Sequence, residues 1–194
     1  MRAKRFVLGP VLAVVLAASG LAQEGALSFS AGGFFAGDGT YREIYGASVP
    51  FTLELWLKAK GPFGLAAGAS WLKDDGQALT QGGGDAEFPV ELRRTSIPLL
   101  AFYEIGFKSV RVRFGAGVGI HSYKEVWTTS TPEFEGRKVA PRFMIAAFMG
   151  LSARLSLVGT FVYESVSTGA GSVLSSNIDL GGYQILGGLS YRIF

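Results

Sequence analysis

Apolar residues recur at every second position, in segments of strand length, down to the last residues of the chain. The clearest case sets Val49, Phe51, Leu53, Leu55 and Leu57 against Pro50, Thr52, Glu54, Trp56 and Lys58. A period of two places alternate side chains on opposite faces of a strand. The final segment, Tyr183-Gln-Ile-Leu-Gly-Gly-Leu-Ser-Tyr-Arg-Ile-Phe194, alternates in the same way. A chain that stops inside an aromatic-rich strand needs a neighbour for that strand. In a bilayer the neighbour has to close a ring, because unpaired backbone groups do not face hydrocarbon.

Eight such segments are legible, at roughly 26–36, 47–58, 63–72, 95–107, 110–121, 140–151, 155–164 and 178–194. The sixth is less clean, since Met144 and Phe148 fall opposite Phe143, Ile145 and Met149. The connections give a second test. Those after the second, fourth and sixth strands are short, at 58–62, 108–109 and 152–154. Those after the odd strands are long, including about 73–94, with Gly82-Gly-Gly84 inside, and about 122–139. Long external loops and short periplasmic turns are the asymmetry of bacterial barrels. Phe35, Tyr45, Trp71, Tyr123, Trp127 and Tyr163 lie near the long-loop end. Phe63, Phe107, Tyr191 and Phe194 lie near the short-turn end, so two aromatic girdles are expected. The fold class predicted is all-β, an eight-stranded antiparallel up-and-down transmembrane β-barrel.

Residues 1–22 have the form of a secretory signal peptide. Arg2, Lys4 and Arg5 precede the apolar run Phe6–Ala18, and Gly20-Leu21-Ala22 supplies small residues for cleavage. That run is too short for a spanning helix. Residues 23–194 then form one barrel domain. The three basic residues of the leader account for the whole net charge of +3, so no case for nucleic-acid binding survives. The chain has no cysteine, which excludes disulfides, thiolate chemistry and a lipid-anchored N-terminus.

The leader, the strand order, the segment Val112-Arg-Phe-Gly-Ala-Gly-Val-Gly119 and the ending Gly-Gly-Leu-Ser-Tyr-Arg-Ile-Phe194 together resemble the small outer-membrane β-barrel domain proteins of Gram-negative bacteria, of the OmpA/OmpX and W types. The resemblance implies export through the inner membrane to the outer membrane and contact with outer-membrane lipid. It also implies delivery to the barrel-assembly machinery through the C-terminal strand, with Tyr191, Ile193 and Phe194 as the signal. Tyr191 and Ile193 fall close together at the chain end, with Phe194 one position beyond.

The phase assignment faces Leu53, Leu55, Leu57, Val112, Phe114, Val118, Leu157, Phe161, Ile185 and Leu189 toward lipid. It faces Glu54, Lys58, Glu104, Arg111, Arg113, Arg142, Glu164 and Arg192 inward, as a polar network that is structural or gating. Eight strands enclose a space only wide enough for side chains or one small ligand, so the expectation is a plugged, ion-paired interior. Catalysis is not expected. Lipid A deacylase barrels, which resemble this fold, carry a serine two residues from the histidine on one face. Here Tyr123 holds that place, and Ser122 points the other way from His121, the one histidine. Gly115-Ala-Gly-Val-Gly119 lacks the spacing and the helix of a dinucleotide loop. Asp74-Asp75-Gly76 is too short for a calcium loop, and no metal or other cofactor is expected. The favoured role is structural or surface-interaction, through four displayed loops. A narrow channel for small solutes, apolar ones included, is the alternative that the W-type resemblance implies. A soluble lipocalin-like carrier, apolar inside and charged outside, is the third reading.

Overall fold

The computed structural model describes residues 22–79, 87–127, 133–166 and 179–194. Residues 1–21 of the leader, the Gly82–Gly84 run and the side chain of Trp127 lie outside the described residues. The strands are β1 (Glu24–Ala36), β2 (Phe51–Lys58), β3 (Phe63–Leu79), β4 (Glu87–Phe107), β5 (Val110–Trp127), β6 (Glu133–Gly150), β7 (Leu155–Glu164) and β8 (Gly182–Arg192). Each pairs antiparallel with its sequence neighbour, and β1 pairs with β8, so the sheet closes into a barrel. Closure leaves the spanning strands without an unpaired edge. The seam runs to the end of the chain, where Ile193 N–H donates to Gly25 O at 2.7 Å and Gly25 N–H donates to Phe194 O at 3.1 Å.

Glycines permit the tight curvature. A Cβ built on Gly117 would sit 2.0 Å from the Leu99 carbonyl oxygen, and one on Gly188 would sit 2.0 Å from that of Phe29. At such points one strand's backbone passes directly beneath the next, and only a residue without a side chain fits. The β4–β5 turn is Lys108–Ser109, with Lys108 at a φ of 48°. It holds Phe107 opposite Val110, so both strands keep their phase.

The expected loops are shorter than the spacing suggests. β3 and β4 stay paired from Phe63–Tyr103 out to Leu79–Glu87, and β5 and β6 out to Val126–Glu133. Most of 73–94 and 122–139 is therefore ladder, not loop. β2, β7 and β8 are far shorter, so β3–β6 form a tall wall on the loop side. The first long connection contains a helix that the alternation does not reveal, α1 (Gly39–Tyr45). Asp38 caps it by accepting from Tyr41 N–H at 3.0 Å. Its buried residues, Tyr41 and Tyr45, are four apart and so share one helix face.

The outer surface is apolar along the barrel wall. Phe29, Leu53, Leu65, Phe114, Phe143, Ile145, Phe161, Ile185 and Leu189 are all exposed. Of the expected girdle residues, Phe35, Trp71 and Tyr163 are exposed at the loop end, and Phe63, Phe107, Tyr191 and Phe194 at the turn end. Phe35 stacks on Tyr183 with ring centroids 5.0 Å apart. Tyr45 and Tyr123 do not join the girdle. Tyr45, the last residue of α1, is buried in the internal cluster beneath the helix, and Tyr123 packs against the same cluster. A lipocalin-like carrier would bury its apolar face and solvate its outer one, and this barrel does the reverse on its outside.

Candidate functional site

The barrel interior alternates charged and apolar layers, built from the inward phase of each strand. At the turn end, Lys58 Nζ lies 2.5 Å from Glu104 Oε1, and Arg113 Nε lies 2.8 Å from Glu104 Oε2. Glu24, at the start of β1, bonds Arg111 and lies 3.7 Å from Arg113 Nη2. Arg192 joins only at the rim, 3.6 Å from Glu24, with its side chain 43% exposed. Arg192 keeps the inward phase, opposite the buried Ala26, and stands at the mouth because the strand ends there.

Above this layer the guanidinium of Arg113 is boxed by rings. Its Cζ lies 5.0 Å from the Trp56 centroid, 4.8 Å from Phe102 and 4.5 Å from Phe148. Trp56 meets both phenylalanines edge-on, at 5.5 and 5.3 Å. A desolvated cation between aromatic faces gains from their quadrupoles while keeping its carboxylate. Leu100, Met144, Val158 and Val162 complete an apolar cluster around these rings.

The next charged layer is fully enclosed. Arg142 is 0% exposed and bonds Glu164 on the adjacent strand. Its Nη2 is 3.8 Å from Glu54 Oε1. Arg94 Nη2 reaches the other Glu164 oxygen at 3.2 Å, and Arg94 also bonds the Leu180 carbonyl. His121 Nε2 is 3.9 Å from Glu164 Oε1, beyond hydrogen-bond reach. Two carboxylates and two guanidiniums thus compensate one another away from water. Over them lies a second apolar cluster, with Phe34, Leu72, Val90 and Leu92 around Tyr41 and Tyr45 of α1. Tyr41 OH donates to Asp74 Oδ2 at 2.5 Å, and Ser48 Oγ donates to the same oxygen at 2.7 Å. Burial, reinforced by the Asp74 carboxylate, pushes the Tyr41 hydroxyl above the usual phenol range, so it stays a donor.

The expected network residues therefore separate into two groups. Glu54, Arg142 and Glu164 meet in the middle layer, while Lys58, Glu104, Arg111 and Arg113 meet at the turn end. The partners missing from the sequence reading are Glu24, which stands before the first clear alternation, and Arg94, which stands in a stretch read as loop. The interior is also more apolar than expected, since Phe34, Phe102, Met144, Phe148 and Leu186 are all buried inside. On the outer face Leu53, Phe114, Val118, Leu157, Phe161, Ile185 and Leu189 are exposed, and Leu55 and Val112 are partly so. Leu57 is an exception, at 6% exposure. It stands opposite Gly25, over which the Phe194 ring lies. Tyr191, Ile193 and Phe194 are exposed at the chain end.

No known family's sequence profile matches the chain, and no curated protein matches it. Solved structures do. OprG from Pseudomonas aeruginosa, an outer membrane protein, aligns with a TM-score of 0.68 over 89% of this chain and 96% of that one, at 11% identity. The fold is that of a small outer-membrane β-barrel. Neisserial surface protein A aligns with a TM-score of 0.58 over 86% of this chain and 96% of its own, at 9% identity. A major outer membrane protein from Thermus thermophilus aligns at 0.56 over 88% and 100%, at 14% identity. At these identities the shared property is the architecture, and the filling of this barrel is argued from its own residues.

Proposed function

We propose that this chain is a sealed outer-membrane barrel with a structural or surface-interaction role and no catalytic activity, and that its work is to hold the β3–β4 and β5–β6 hairpins rigidly above the membrane. The carrying observation is the filled interior. Arg113 boxed by Trp56, Phe102 and Phe148 lies below, the Arg142–Glu164–Arg94 group lies in the middle, and α1 with Phe34 lies above. Three stacked layers leave the ionic groups paired with each other, which favours a structural network over a gate. The Lys58, Glu104, Arg111 and Arg113 group, with Arg192 at the rim, would close the periplasmic mouth. The C-terminal residues Tyr191, Ile193 and Phe194 would be read by the assembly machinery before the β1–β8 seam forms.

Support for the display role comes from the strand lengths. β4 has 21 residues and β3, β5 and β6 have 17 or 18, against 8 to 11 for β2, β7 and β8. About ten residues suffice to cross a bilayer, so the surplus of the middle four strands stands outside it. The test is single-channel recording on the folded protein in planar bilayers. A flat trace is expected across the voltage range, and reproducible conductance steps would replace the sealed barrel with the channel reading.

A further inference from the structure

The outer face of the tall wall changes character abruptly at the edge of the apolar belt. On β3 the outward residue after Trp71 is Lys73. On β4 the outward series leaving the membrane is Ile97, Thr95, Arg93, and on β5 it is Ile120, Ser122, Lys124. On β6 it is Val139 followed by Arg137. The first outward charge on each of the four strands is therefore basic. The acidic residues Asp75, Glu91 and Glu135 come one outward position later on β3, β4 and β6. Register places Lys73 opposite Arg93, and Arg93 opposite Lys124, so three of the four cations adjoin. Lys73 lies 2.9 Å from Glu91 and 3.4 Å from Asp75, and Arg93 also bonds Glu91. The Lys73 and Arg93 side chains remain 54% and 67% exposed, so these pairings are solvated and weak.

A second feature lies below on the same strands. Ala101 of β4 and Ala116 of β5 are paired, and larger side chains including Phe63, Phe143, Ile145 and Phe161 rise around them. The result is an almost wholly apolar groove of about 530 Å³ on the outer wall. Arg93 and Ala101 are eight residues apart along β4, roughly 26 Å of strand. At the usual barrel tilt that is about 20 Å of depth. A molecule carrying phosphate at one end and a long acyl chain at the other spans that distance.

We infer that the outer wall of β3–β6 is a binding site for a phosphorylated glycolipid of the outer leaflet, with its phosphates on Lys73, Arg93, Lys124 and Arg137 and an acyl chain in the Ala101–Ala116 groove. This rests on the membrane-spanning reading above. Cations held at the belt edge meet headgroup phosphates at their own depth, and each contributes to membrane-surface attraction. A ladder of strands fixes their spacing, so the wall recognises a cluster of phosphates in place. Anchoring the wall to a lipid headgroup would also hold the displayed hairpins at a fixed height.

The test is native mass spectrometry of the refolded full-length mature barrel after detergent exchange. The probes are bisphosphorylated lipid A, the same lipid with its phosphates removed, and inorganic phosphate. Bisphosphorylated lipid A is expected to stay bound, with Arg93→Gln/Lys124→Gln weakening retention roughly thirty-fold at the usual contribution of one basic residue near a surface. Ala116→Phe, which fills the groove without changing charge, should also reduce retention. Equal retention of the dephosphorylated lipid, unchanged retention in the double variant, or displacement by inorganic phosphate would overturn the site. Heat-modifiable gel mobility is read on every sample. Loss of that shift in the wild type would count against the membrane barrel itself, whereas a folded barrel without lipid preference counts against the site alone. Lys73→Gln/Arg137→Gln, on β3 and β6, carries the same prediction should the first pair not fold.

Discussion

Replacing Arg142 with methionine is expected to cost the folded barrel roughly 3–5 kcal/mol, the usual penalty for removing one member of a buried ion pair. The side chain is fully enclosed, bonds Glu164 and is the cation facing Glu54. Its loss leaves Glu164 with Arg94 and leaves Glu54 with no cation within ion-pair distance among the described residues. A buried carboxylate without a counter-charge has no water to turn to, and the interior layers above and below it are apolar. Methionine keeps approximate volume, so the effect reads charge and not a cavity. Restoring neutrality with Glu54→Gln in the same chain should recover part of the loss, since it removes the stranded charge. Urea unfolding in lipid vesicles measures both variants. Unchanged stability in Arg142→Met would mean that water reaches the middle layer and that the barrel is not sealed.

Placing a charge on the opposite face should fail for a different reason. Leu55 lies in the outward phase of β2, between Leu27 of β1 and Ala67 of β3. It is half-way along its strand and flanked in phase by the exposed Leu53. Leu55→Arg puts a guanidinium near the bilayer midplane, which costs about 2–4 kcal/mol in transmembrane barrels. The loss should appear in the same vesicle unfolding assay and should vanish in a detergent micelle that lets the side chain reach water. Unchanged stability in vesicles would reverse the phase of β2, and with it the distinction between inner and outer faces.

The strands inside the membrane were legible because hydrocarbon imposes a simple rule on their outward positions. β7 runs from Leu155 to Glu164, and the alternation alone places it there. The rule lapses outside the membrane. Lys73, Asp75, Glu91 and Arg93 are outward residues of a continuing ladder, yet their charges read as loop. Water solvates the outer face of that upper part of the wall, so only the inward half of the pattern survives, as Leu72, Val90 and Leu92. Arg94 was hidden by the same change, although it holds a central carboxylate. Helix α1 is seven residues long, too short for a periodic signal, though Tyr41 and Tyr45 four apart after the cap residue Asp38 are its trace. The uneven sixth segment has a plain cause. From Phe143 to Met149 β6 is apolar on both faces, with Met144 and Phe148 in the internal cluster and Phe143, Ile145 and Met149 on the outside. Interior composition in a narrow barrel is set by packing against the facing strands, which one strand's own pattern does not report.

Gel mobility of the mature protein in isolated envelope fractions tests the closed, lipid-embedded sheet most directly. The unboiled protein should run as a compact band in the outer-membrane fraction and shift on boiling, as the β1–β8 seam opens. A single unshifted band, or recovery in the soluble periplasmic fraction, would contradict it.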